Sequence, residues 1–308
     1  MINICTRINE SGVPILSAES IDRYATRMVE EFLPCGTEVP VAIDIDRFLT
    51  EYAELELEEE LLSHDGHRLG MFIFEATDEL PIWCEERQRA EERSVKARTV
   101  LIDSRRQTEE GVRFTKAHEC GHALFHNHVY HRRPELLMLR ENGSTMSRFE
   151  RRNTESWTEI HWMDWQANNF ASCLLMPRPM VEKVAEEVRE QEAFDAITFR
   201  EARIAKIRDV FQVSSAMAEI RLNKLGLLEY HSDGYRSNIP EIEERRTISF
   251  HSANAYRDGL GRRIPEQPLD PPEPKTKKRR SNKLSPKERR LMVLTLEDIL
   301  SGKYLQYI

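Results

Sequence analysis

Apolar positions along this chain recur with two periods. Ile21, Tyr24, Ala25, Met28 and Phe32 are spaced by three and four, which predicts an amphipathic helix stopped by Pro34 and Gly36. Val41, Ile43, Ile45, Phe48 and Leu49 predict the start of a second helix. Short apolar runs at residues 69–74, 80–84 and 98–103 read as strands. From Val112 the pattern turns helical again, through Phe114, Ala117, Gly121, Leu124 and Phe125. A buried strand therefore feeds a helix with one buried face.

Residues 131–153, rich in Arg, Glu, Asn, Gly and Ser, read as a mobile loop of the kind that often rims a substrate site. Ile160, Met163, Ala167, Phe170, Ala171 and Leu174 then predict a core helix, ended by Pro177 and Pro179. Residues 180–192 predict a charged amphipathic helix, followed by a helix-turn-helix-like pair. In that pair Ser214 is the expected N-cap, Ala216, Met217, Ile220 and Leu225 the buried side, and Gly226 the stop. Its second helix opens without the Arg or Asn cluster that base edges require, so packing or substrate docking is expected of it rather than DNA reading.

The chemistry lies in the helix that begins near Val112. His118-Glu119-Cys120-Gly121-His122 puts two imidazoles four residues apart, on one face and one turn apart, where both reach a single metal ion. Glu119, next to the first of them, is placed to act as a base on a water held by that ion. Catalytic zinc usually takes three side chains and keeps a fourth position open. Asp164 falls inside the apolar stripe of the later helix, where an ionised acid is costly unless paired or metal-bound. Glu155, Glu159 and Gln166 fall off that stripe, toward solvent, so Asp164 is the expected third ligand. The plainer alternative is a buried Asp that pairs with a neighbour.

Two further histidines compete for the ion. His126 lies about 12 Å along the helix axis from His118, which suits a supporting or core role better than ligation. His128 occupies the third-ligand spacing of a longer motif that needs glycine at position 125, where this chain has Phe125.

Three ordered stretches together resemble the ImmA/IrrE family of bacterial metallopeptidases: residues 113–126, residues 164–177 with the pattern Asp-x-x-Ala-Asn-x-Phe-Ala-x-x-Leu-Leu-Met-Pro, and residues 204–228. The resemblance covers roughly residues 15–230. It implies a cytoplasmic zinc protease that cleaves a helix-turn-helix repressor and so relieves transcriptional repression. By residue, it makes His118 and His122 metal ligands, Glu119 the base and Asp164 the third ligand. Family members usually carry Glu at that last position. Asp is one methylene shorter, so the two helices must lie closer here or a water must intervene.

The expected fold is α+β: a mainly helical, zincin-like core with a small sheet, then the helix-turn-helix-like segment and a basic tail. The expected divisions are 1–185 for the metallopeptidase-like domain, 186–232 for the helical extension and 233–261 for an irregular connector. A disordered linker at 262–290 and a short helix at 291–308 complete the chain. The linker holds Pro265, Pro268, Pro271, Pro272 and Pro274 and then a Lys/Arg run, with Glu288 the only acid among residues 275–290.

Composition narrows the class. Among 308 residues, 40% are hydrophobic and 32% charged, which suits a globular protein without membrane spans. The first residues lack the pattern of a secretory signal. Five scattered cysteines without a Cys-x-x-Cys pair suit a reducing, cytoplasmic setting, with Cys120 a small apolar filler. A net charge of −8 argues against a general nucleic-acid binder, although the basic tail allows weak contact. Two other functions remain open. One is a non-catalytic regulator that binds a repressor or DNA through a degenerate metal site. The other is a structural zinc site, which would need a fourth Cys or His that Cys120, two residues from each histidine, does not supply.

Overall fold

Helix α1 (Ala18–Phe32) forms where the first apolar stripe predicts it: Ser17 caps its start by accepting from the Ser20 N–H, and Ile21, Tyr24, Ala25, Met28 and Val29 are buried. The computed structural model describes residues 4–133, 136, 157–191 and 196–228, together with short strands at Tyr256–Arg257, Arg263–Ile264 and Met292–Leu294. Ahead of α1, strands β1 (Ile4–Ile8) and β2 (Pro14–Ile15) make a small antiparallel hairpin.

The second expected helix is shorter than its pattern suggests. Only Ile45–Arg47 is α-helical (α2), capped by Asp44, and a π-helical turn, Phe48–Tyr52, follows. Val41, Ile43 and Ile45 alternate rather than follow helical spacing; Val41 is exposed while the other two are buried.

Strands β3 (Glu56–Glu59), β4 (Gly70–Ile73) and β7 (Thr99–Ile102) form a mixed sheet in the order β3-β7-β4, with β7 parallel to β3 and antiparallel to β4. Strands β5 (Thr77–Cys84) and β6 (Arg89–Val95) form an antiparallel hairpin. Side chains alternate across the mixed sheet. Phe72, Val100 and Ile102 join the main core, whereas Met71, Ile73 and Leu101 pack with Leu80, Ile82 and Val95 in a second, smaller core. Because β7 is covered on both faces, all four of its residues are buried. The acidic stretch at 51–60 contains β3, and the charged β6 has no apolar run. Both are held by pairing instead, and the Arg93–Glu58 ion pair at 2.7 Å links the hairpin to the sheet.

Helix α3 (Glu109–Arg132) starts at the Thr108 cap and lies along α4 (Glu159–Leu175), which also packs on α1. Helices α5 (Arg178–Gln191), α6 (Ala196–Phe211) and α7 (Ser215–Lys224) complete the described helical layer. The expected loop at 131–153 begins late, since α3 runs on to Arg132; most of it lies outside the described residues. Within the terminal stretch 291–308, Met292–Leu294 is a strand rather than part of a helix, because the open edge of β1 pairs with it. The linker and connector otherwise lie outside the described residues. No described helix is long and apolar enough to cross a membrane.

Ser214 caps α7 as expected, but the buried face differs from the apolar pattern. It consists of Ala218, Arg221 and Leu222, while Ala216, Met217, Ile220 and Leu225 are only partly covered. The reason is a buried charge network. Arg221 donates to Asp22 Oδ1 (2.6 Å), to the Met176 carbonyl (3.0 Å) and to Cys173 Sγ (3.2 Å), and Arg178 donates to Asp22 Oδ2 (2.7 Å). Three helices, α1, α5 and α7, thereby meet at one carboxylate, and Arg221 ties α4 to them through Cys173.

Burial alone would raise the Asp22 pKa, but Arg221 and Arg178 outweigh it and hold the carboxyl below its ordinary value. A carboxylate with a lowered folded pKa contributes stability above its unfolded pKa, and that contribution is lost as pH falls through the folded value. Asp22→Asn should cost about 3–5 kcal/mol in urea unfolding at neutral pH, since it leaves Arg221 buried without its counter-charge. The loss should shrink as the pH is lowered below the ordinary carboxylate range.

Candidate metal centre

His118 and His122 project from one face of α3 as their spacing predicts, with Nε2 atoms 3.1 Å apart. Asp164 reaches them from α4, its Oδ1 3.3 Å from His122 Nε2. The three ligand atoms all lie within 4.8 Å of one another. His122 is fully buried and His118 partly so, while the Asp164 side chain is 41% exposed, so the group opens to solvent on one side.

That exposure corrects the ground on which Asp164 was expected. It does not lie within a buried stripe: α4 is buried nearly all round, and Asp164 shares the more open strip with Asn168, one turn on. Asn168 Oδ1 lies 3.0 Å from His118 Nδ1 and accepts its proton, which turns the His118 Nε2 lone pair toward the other donors. Gln166 is also corrected. It is 3% exposed rather than solvent-facing, with Oε1 2.9 Å from His126 Nε2 and its amide nitrogen donating to the Pro14 carbonyl. Glu159 is partly exposed and accepts from Ser11; Glu155 lies outside the described residues.

His126 is buried against His122, with their Nδ1 atoms 3.1 Å apart, in keeping with a supporting role. His128 is no ligand of this group. It donates to the Gly12 carbonyl, and burial pushes its pKa down to about 4. Burial likewise pushes the Cys120 thiol far up, as suits an apolar filler. Glu119 is 3% exposed, and the start of β4 abuts it.

The close approach of the helices answers the shortness of Asp. A Cβ at Gly121 would meet the Ala167 Cα at 3.1 Å, so glycine there lets α3 and α4 come near enough for an Asp to reach His122. Gly121→Ala should cost about 1–3 kcal/mol in thermal or urea unfolding and weaken metal uptake by drawing Asp164 away.

Two imidazole nitrogens and one carboxylate oxygen are a donor set for a divalent transition metal, with room left for water or substrate. The residues present therefore fit such an ion. Asn168 and Gln166 were not recognised as site residues from sequence, although Asn168 falls one helical turn after Asp164 and shares its face. Residues 76–223 match the family model described as Peptidase_M78, IrrE N-terminal-like domain. No curated protein matches the chain.

Proposed function

Since the chain belongs to the ImmA/IrrE family through residues 76–223, we propose that it is a zinc-dependent peptidase. Its proposed substrate is a helix-turn-helix transcriptional repressor, cut at a limited number of bonds in the cytoplasm. The observation that carries this reading is the convergence of His118, His122 and Asp164 around a point open on one side. A structural zinc site would close its fourth position with another Cys or His, and no such residue joins this group among those described.

Bound there, zinc supplies Lewis acidity: it makes water nucleophilic near neutral pH and polarises a carbonyl. Asp164 and the two histidines would hold the ion, and Asn168, by accepting from His118 Nδ1, would leave the His118 Nε2 lone pair available to it. Glu119 takes the proton of the attacking water and returns it to the departing amine, so that one carboxylate serves both halves of the hydrolysis. The partly exposed side of the group gives a peptide carbonyl its way in. Beyond repressor binding, the basic stretch at 275–290 would allow weak contact with nucleic acid.

Incubating the zinc-loaded full chain with a candidate repressor and measuring fragment masses tests this directly. A small set of discrete fragments, abolished by a chelator, is expected. Stable binding of the repressor without any cut would replace the peptidase by a non-catalytic regulator.

A further inference from the structure

The orientation of His122 can be traced outward through hydrogen bonds whose directions follow one from the next when the rings are neutral. A carbonyl oxygen carries no hydrogen, so the Gln166 atom 2.6 Å from the Pro14 oxygen must be its amide nitrogen. The Gln166 oxygen therefore faces His126 Nε2 at 2.9 Å, and as an acceptor it requires the His126 proton to sit on Nε2. In a neutral ring, that makes His126 Nδ1 an acceptor. It lies 3.1 Å from His122 Nδ1, so His122 donates from Nδ1 and keeps its lone pair on Nε2. That Nε2 is the atom facing His118 and Asp164.

We propose that Gln166 and His126, anchored on the Pro14 carbonyl, are positioning residues that preset His122 as an Nε2 metal ligand. This inference deepens the metal-centre reading and rests on it. Every link is buried: His122 and His126 are fully covered and Gln166 is 3% exposed, so bulk water is shut out of the chain of bonds. The anchor lies in β2, outside the residues that match the family model. The same hairpin also holds both ligand-bearing helices: the Gly12 carbonyl accepts from His128 on α3, and the Ser11 hydroxyl donates to Glu159 on α4. The N-terminal hairpin thus acts on the metal centre through Gln166 and His126.

Gln166→Met and Gln166→Glu, made in the full chain, separate orientation from packing. Met fills the space but offers His126 only a weak sulfur acceptor; Glu retains an oxygen acceptor whichever way it is protonated. Zinc affinity, read by competition with a chromophoric chelator, should fall about 10–100-fold in Gln166→Met, the range typical of lost outer partners of metal-bound histidine. Gln166→Glu should stay nearer the wild type, whereas a purely structural role would make a buried carboxylate the worse replacement. Equal affinity in wild type and Gln166→Met would overturn the proposal, as would a Gln166→Glu loss larger than that of Met. Nitrogen NMR of the metal-free wild type needs no variant: a protonated Nδ1 and bare Nε2 on His122 are expected, and the reverse tautomer refutes the relay. If the wild type takes up no zinc, the metal-centre reading fails on its own, and the spectrum still decides the tautomer.

Discussion

Glu119→Gln protein should bind zinc as the wild type does, melt at a similar temperature, and cleave its substrate about 10²–10⁴-fold more slowly. The reasons lie in what the substitution leaves alone. Glu119 is 3% exposed and is not among the three converging donors, so its amide isostere removes a proton acceptor without removing a ligand. A neutral amide of the same shape in a buried place also avoids the cost of desolvating a charge, which is the ground for expecting a similar melting temperature. Initial rates on a repressor substrate, with zinc content and a thermal melt measured on the same preparation, check all three points. Undiminished cleavage would take Glu119 out of the mechanism. Lost zinc would make it a ligand instead of a base.

His122→Ala should be the most damaging change to metal binding. His122 supplies the donor that faces both His118 and Asp164, and its loss should weaken zinc by more than the 10–100-fold that outer partners typically contribute. It should also cost stability with no metal present. His122 is fully buried and bonded through Nδ1 to His126, so alanine leaves a void and a buried acceptor without its donor, worth about 1–3 kcal/mol for the lost bond alone. His118→Ala is the control. His118 is only partly buried, so zinc should be lost with a smaller cost to the metal-free fold. Chelator competition and urea unfolding of the metal-free proteins measure the two effects separately. Full zinc occupancy in His122→Ala would remove the proposed centre.

Much of the site was legible before any coordinates, because helical spacing is local. Two histidines four apart share a face whatever surrounds them, and the apolar stripes of α1, α3 and α4 appear where their periods put them. Asp164 does lie beside the two histidines, but not for the reason its sequence position suggests. The stripe suggested a buried acid, whereas α4 is enclosed on nearly every side and Asp164 lies on its more open strip. Amphipathic spacing cannot tell a helix with one buried face from one buried all round when polar residues have partners inside. The same blindness set Gln166 toward solvent, because an amide looks solvated until its two partners, Pro14 and His126, are brought to it from 152 and 40 residues away.

Strands β3 and β6 were missed for a related reason. Arg89–Val95 and Glu56–Glu59 carry little apolar signal, and their extended form depends on the strands that pair with them. The buried face of α7 was misplaced because Arg221, a charged residue, is its anchor, and only Asp22 on α1 makes that burial tolerable.

Residue order therefore specified which chemical groups share a helical face, since a fixed rise and turn convert spacing directly into direction. Folding in three dimensions decided the rest: how near α3 and α4 approach at Gly121, which lets a short acid reach two imidazoles, and which nitrogen of His122 faces them. Those outcomes depend on contacts between segments far apart along the chain, and no local period encodes the distance between two helices or the direction of a buried hydrogen bond.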